Sequence, residues 1–203
     1  QVLGGMYELL LKSENIKINL VTATSGDTGA AAIDAIKDKK NVNIFVLHPH
    51  NKISSVQRQL MTTCNAENVF NIAIKGSFDD CQKIVKDMFV DQDFANKINM
   101  SGVNSINWAR IIAQIVYYFF IYYKFNNSKK PIVVSVPTGN FGDIYAGYVA
   151  KQMGLNIKEL IVATNQNNIL QRCINTGEYK PLDVAESISP SMDIQVASNF
   201  ERI

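Results

Sequence analysis

A parallel α/β fold is the class this sequence predicts, and three observations predict it. Short β-branched or apolar runs alternate with segments of helical spacing as far as residue 176 of the 203. Two of those runs, IKINLVTA and IVVSVP, pass directly into turns that carry two glycines and open a helix. The second run is apolar almost throughout, the pattern of a central strand in a parallel sheet. Helices on both faces of such sheets would make three layers.

The elements follow in order. A helix is expected over residues 1–12, QVLGGMYELLLK, then the strand IKINLVTA. Gly26 and Gly29 mark a turn, and AAAIDAIKDK continues as a helix. VNIFVLHP reads as a β-branched strand ended by Pro49, ISSVQRQLMTT has helical spacing, and NVFNIAIKG is a strand stopped by Gly76. SFDDCQKIVKDMFVDQDFANK is amphipathic, with Cys81, Ile84, Val85, Met88 and Phe89 on one face. Ser77 is its expected N-cap, and Asp79 and Asp80 suit its first turn. After NMSGVNSIN comes a long apolar helix over 108–125, and after the polar loop NNSKKP the strand IVVSVP. TGNFGD is a turn, IYAGYVAKQMG a helix ended by Gly154, and IKELIVAT a strand followed by a short helix over 168–175. From Gly177 onward the chain reads as polar and irregular. There is no internal repeat and no low-complexity segment.

Composition excludes several classes. Hydrophobic residues are 47% and charged residues 19%, which suits a folded globular chain rather than a disordered one. The net charge is only +2 and no basic block occurs, so neither nucleic acid nor a membrane surface is an expected partner. Arg110 and Gln114 interrupt the apolar run near Trp108, leaving less than the ~20 residues a membrane span needs. Cys64, Cys81 and Cys173 are far apart and odd in number, which fits reduced thiols and a cytoplasmic protein. The chain begins with Gln1 inside what reads as a helix and ends at NFERI without a stop signal, so a longer parent is expected.

Two turns carry the chemistry, TATSGDTGA and PTGNFGDIYAG. A helix N-terminus presents unsatisfied N–H groups and partial positive charge, and glycine lets a ligand approach the backbone. Together they make an anion site at the C-terminal edge of a parallel sheet. Neither turn is a P-loop or a dinucleotide fingerprint. A third cluster, NSINWAR, sets two amides, a hydroxyl and Arg110 before the apolar helix. A guanidinium there needs a partner: a phosphate or carboxylate ligand, or an acidic side chain of the chain itself. His48 and His50, flanking Pro49, suit a surface turn better than a metal site, and the six aromatics within 117–123 suit packing.

TATSGDTGAAA, GSFDDCQ, NSINWARIIAQIVYYF and VSVPTGNFGDIYAGYVAKQMGL together resemble the threonine synthase family, across nearly the whole chain and in the family's order. The resemblance implies a pyridoxal 5'-phosphate enzyme of fold type II, the tryptophan synthase β-like fold, here incomplete. It implies that Gly139, Asn140, Phe141, Gly142 and Asp143 surround the cofactor phosphate. It implies substrate contacts from Thr24, Ser25, Gly26 and Thr28. Asp27 falls where relatives place an Asn facing the 3′-oxygen of the cofactor ring, so two anionic oxygens would have to share a proton there. Asn104, Ser105 and Arg110 match positions that hold the phosphate of O-phosphohomoserine.

The implied reaction converts O-phosphohomoserine and water to threonine and phosphate. The family's Schiff-base lysine lies in a Phe-Lys-Asp motif just before a helix like QVLGGMYELL. It is therefore expected upstream of Gln1, no lysine of this chain is assigned as catalytic, and the segment alone is expected to be inactive. Related lyases and dehydratases share the glycine loops but have no need of the NSINWAR phosphate site. A non-catalytic relative that binds phosphorylated ligands is the other alternative. The expected division is a helix and strand over 1–21, a smaller α/β domain over 22–107 and part of a larger one over 108–203, in a monomer or homodimer.

Overall fold

A computed structural model describes residues 2–24, 26–104, 106–125 and 130–203. The chain forms two compact units, Gln1–Asn104 and Ser105–Ile203.

The first unit runs α1 (Val2–Glu14), β1 (Ile18–Ala23), α2 (Asp27–Ile36), β2 (Val42–Pro49), α3 (Ser55–Thr62), β3 (Val69–Ile74), α4 (Phe78–Val90), α5 (Gln92–Lys97) and β4 (Met100–Gly102). Its strands form one sheet in the order β3-β2-β1-β4, and every pair is parallel. Alternation along β1 separates the two faces. Leu20 packs with Leu11 of α1, Ile33 and Ile36 of α2, Met61 of α3 and Val42, Ile44 and Val46 of β2. Val21 packs the other way, with Leu47, Cys81 of α4 and the half-buried Val85 and Met88. Three layers result, as expected.

Two details depart from expectation. The amphipathic run after Ser77 is two helices, because Asp91 leaves helical geometry and its carboxylate accepts from Phe94 N at 3.0 Å, capping α5. Ser77 does cap α4, in a reciprocal box with Asp80. Strand β4 has only three residues, too few to show a period of two. Gly102 packs closely there, since a Cβ would lie 3.0 Å from the Phe89 ring.

The second unit runs α6 (Trp108–Phe125), β5 (Ile132–Pro137), α7 (Gly142–Gln152), β6 (Ile157–Ala163) and α8 (Ile169–Thr176), with 3₁₀ turns at Pro190–Met192 and Phe200–Arg202. Helix α6 buries Ile111, Ile115, Tyr118 and Tyr122, one stripe at helical spacing. Gly147 of α7 lets the Tyr118 ring in, because a Cβ there would lie 2.6 Å from two ring carbons. The Tyr118 hydroxyl then donates to Asp143 O at 2.7 Å, and burial pushes its proton affinity up. No helix among the described residues is long and apolar enough to cross a membrane.

Strand β5 is parallel as expected, pairing with β6. Among the described residues its sheet holds only β6, and Val133 is 50% exposed. The polar stretch after Gly177 is irregular but tied down. The Asp193 carboxylate accepts from Ser187 N, Ser187 Oγ, Asn165 Nδ2 and Asn167 Nδ2 at 2.6–2.9 Å.

Candidate active site

The first turn joins β1 to α2. Thr24 is 2% exposed, and its Oγ1 accepts from Gly26 N at 3.0 Å and Gly29 N at 2.9 Å. A side chain set before the helix thus takes up two of its orphan donors. Gly26 has φ 142°, a conformation that favours glycine. Thr28 is half-buried and Asp27 exposed, at the positive end of α2. The Asp27 carboxylate accepts from Gln57 Nε2 at 2.7 Å. Gln57 is buried, and its backbone and side chain form a reciprocal capping box with Ser54 at the start of α3. It lies against the loop so closely that a Cβ on Gly26 would run into its amide. Sequence reasoning missed Gln57, although the Ser54-x-x-Gln57 spacing signals the box. Ser25 lies outside the described residues.

The second turn joins β5 to α7. Thr138 is 2% exposed; its Oγ1 accepts from Phe141 N at 3.1 Å and donates to Asp143 Oδ1 at 2.5 Å. Phe141 is left-handed, with φ 67°. Its ring is buried edge-on against Phe200 at 5.0 Å, which accounts for a large side chain in this conformation. Asn140 O accepts from both Asn199 N and Asn199 Nδ2 at 3.0 Å, and Ser198 Oγ donates to Asn140 Oδ1 at 2.6 Å. A Cβ on Gly139 would lie 2.9 Å from Ile194 Cδ1, so that methyl group would have to shift. The N–H groups of Gly139, Asn140, Gly142 and Asp143 meet no acceptor among the described residues. A row of such donors at the start of an eleven-residue helix fits a phosphate. Thr138, Ser198 and Asn199 are neighbours bonded to this loop that sequence reasoning missed.

The third cluster precedes α6. Asn107 caps the helix, its Oδ1 accepting from Ala109 N and its carbonyl from Arg110 N, both at 3.0 Å. Arg110 is half-buried, and burial lowers the proton affinity of its guanidinium. Asn104 is exposed, and Ser105 lies outside the described residues. His48 corrects the expected surface turn: it is 5% exposed at the end of β2, while His50 is exposed. Among the described residues no cluster of His, Cys, Asp or Glu could hold a metal ion.

These strand–turn–helix anion loops define a class, and comparison with known proteins agrees with it. A model of the family "pyridoxal-phosphate dependent enzyme" matches residues 3–203, and the chain belongs to that family. Within it, the chain is 51% identical to a threonine synthase of Pseudomonas aeruginosa and 48% identical to one of Saccharomyces cerevisiae. All of the chain is covered in both, with 43% and 42% of those proteins. Among solved structures it resembles a PLP-bound threonine synthase from Brucella melitensis, with TM-score 0.88 and 50% identity over 98% of this chain and 43% of that one. The threonine synthase of Escherichia coli gives TM-score 0.87 and 38% identity over 98% of this chain and 47% of that one. The chain thus spans less than half the length of these relatives.

Proposed function

We propose that the full-length protein is a threonine synthase that uses pyridoxal 5'-phosphate to convert O-phosphohomoserine and water to threonine and phosphate. The observation that carries the reading is the donor row at residues 139–143, joined to the identity with threonine synthases along the whole chain. In this reading the N–H groups of Gly139, Asn140, Gly142 and Asp143 hold the cofactor phosphate at the α7 N-terminus, and Phe141 shapes the loop. The cofactor supplies an electron sink for substrate carbanions.

The chain's own residues bind and orient. Thr28 and Ser25 offer N–H and hydroxyl donors to the substrate carboxylate, and Gly26, whose N–H is held by Thr24, lets the substrate approach the backbone. Thr24 accepts two N–H groups, which leaves its own O–H to donate. Asp27, held by Gln57, would stand toward the 3′-oxygen of the cofactor ring. Asn104, Ser105 and Arg110 hold the substrate phosphate, and a half-buried guanidinium binds that dianion more strongly than an exposed one would.

The test is steady-state kinetics of the full-length protein with O-phosphohomoserine. Threonine and phosphate should form in equal amounts. Arg110→Ala should lower kcat/KM by roughly 10- to 100-fold, the loss of one charge-assisted contact. Arg110→Lys should recover part of the loss, and the absorbance of bound cofactor should be unchanged in both. Loss of cofactor in Arg110→Ala, or unchanged kinetics, would make Arg110 structural.

A further inference from the structure

The peptide linking Asn140 to Phe141 is held at both ends. Its N–H donates to Thr138 Oγ1 at 3.1 Å. Its carbonyl points the opposite way, as in any trans peptide, and accepts from the backbone N–H and the side-chain amide of Asn199, both at 3.0 Å. Asn199 is fully buried. Its Oδ1 accepts from Arg202 Nε at 3.0 Å, and Arg202 Nη2 donates to Ile106 O at 2.9 Å. The Arg202 guanidinium lies over the rings of Trp108 and Tyr145, 5.8 and 6.0 Å from their centroids. One chain of contacts therefore runs from the turn before α6, through Arg202 and Asn199, to the loop before α7.

We propose that Asn199 is a positioning residue for an anion at residues 139–143, and that Arg202 sets Asn199. The proposal rests on the reading that this loop takes the cofactor phosphate. If the 140–141 peptide turned over, its carbonyl oxygen would face Thr138 Oγ1, the Phe141 N–H would lose that acceptor, and the flanking N–H groups would lose their common direction. Asn199 blocks that rotation from the carbonyl side. Its amide has the right chemistry, because Nδ2 donates to the loop while Oδ1 accepts from Arg202. Asp or Leu at 199 could not do both.

The test separates phosphate from ring. Cofactor-free full-length protein is titrated with pyridoxal 5'-phosphate and with pyridoxal, which has the same ring and aldehyde but no phosphate. Wild type should prefer the phosphate ester strongly. Asn199→Ala should weaken the ester by about 10- to 30-fold, the scale of one or two hydrogen bonds, and leave pyridoxal unchanged. Arg202→Lys, at an exposed site and so less prone to misfold, should weaken the ester by about 3- to 5-fold with the same indifference to pyridoxal. Equal weakening of both ligands, or no change in a variant with native circular dichroism, overturns the proposal. A wild type that takes both ligands equally overturns the phosphate reading itself, and the proposal with it.

Discussion

Replacing Thr138 by Val isolates the hydroxyl on the other end of the same peptide. The two side chains are nearly the same size and the site is 2% exposed, so no cavity opens and the surrounding core is undisturbed. Two hydrogen bonds are lost. Phe141 N–H loses its acceptor in a buried residue, which costs about 1–3 kcal/mol. The bond to the Asp143 carboxylate has a nominal worth of about 1.5–3 kcal/mol, but Asp143 is half-exposed and water replaces much of it. The sum is about 2–3 kcal/mol, concentrated in one loop. Amide hydrogen exchange of the full-length protein reads this directly. A peptide covering 138–146 should exchange roughly 30- to 140-fold faster, at a factor of ten per 1.4 kcal/mol. Thr138→Ser keeps the hydroxyl and gives up one methyl, so it should be the milder change, at about 1 kcal/mol. Protection in Thr138→Val within about 3-fold of wild type, or a larger loss in Thr138→Ser, would refute the assignment of the loop's order to this hydroxyl.

Gly29→Ala should destabilise the protein despite alanine's better helix propensity of about 1 kcal/mol. Its Cβ would lie 2.5 Å from Thr24 Cγ2, 2.9 Å from Met61 Sδ and 3.0 Å from Val46 Cγ1, so overpacking of about 1–3 kcal/mol and a displaced Thr24 cap outweigh the gain. A thermal midpoint lower by about 2–4 °C is expected, and a rise contradicts the packing argument. Asp80 provides a pH signature. Hydrogen bonds from Ser77 N and Oγ hold its carboxyl below the ordinary value of 3.8. A depressed carboxyl stabilises above its unfolded value, and that contribution disappears as pH falls through the lower folded value. Exchange protection in the first turn of α4, corrected for intrinsic rate, should therefore fall below pH 3.8, and Asp80→Asn should abolish that dependence.

Much of the architecture is legible in local pattern. The bounds of β2, α6 and β5 follow from where apolar runs meet Pro49, Asn107 and Pro137. Strand β4 is not legible, because three residues paired with Asn19, Leu20 and Val21 acquire their conformation from the sheet and not from their own sequence. The central position expected of β5 is a statement about neighbours on both edges, and among the described residues only β6 is present to pair with it. At the candidate site, the two loops are legible from their glycines and short hydroxyls because these act locally, through φ and through the first turn of a helix. Gln57, 30 residues from Asp27, and Asn199, 59 residues from Asn140, act through long-range hydrogen bonds, which spacing in the sequence does not encode.

The most direct measurement is electron density for the cofactor in crystals of the full-length protein grown with pyridoxal 5'-phosphate. Its phosphate should lie at the N-terminus of α7, within about 3 Å of the N–H groups of Gly139, Asn140, Gly142 and Asp143, with Asn140 O still bonded to Asn199. A phosphate bound elsewhere, with those four N–H groups facing only water, would contradict the assignment of this loop as the cofactor's anchor.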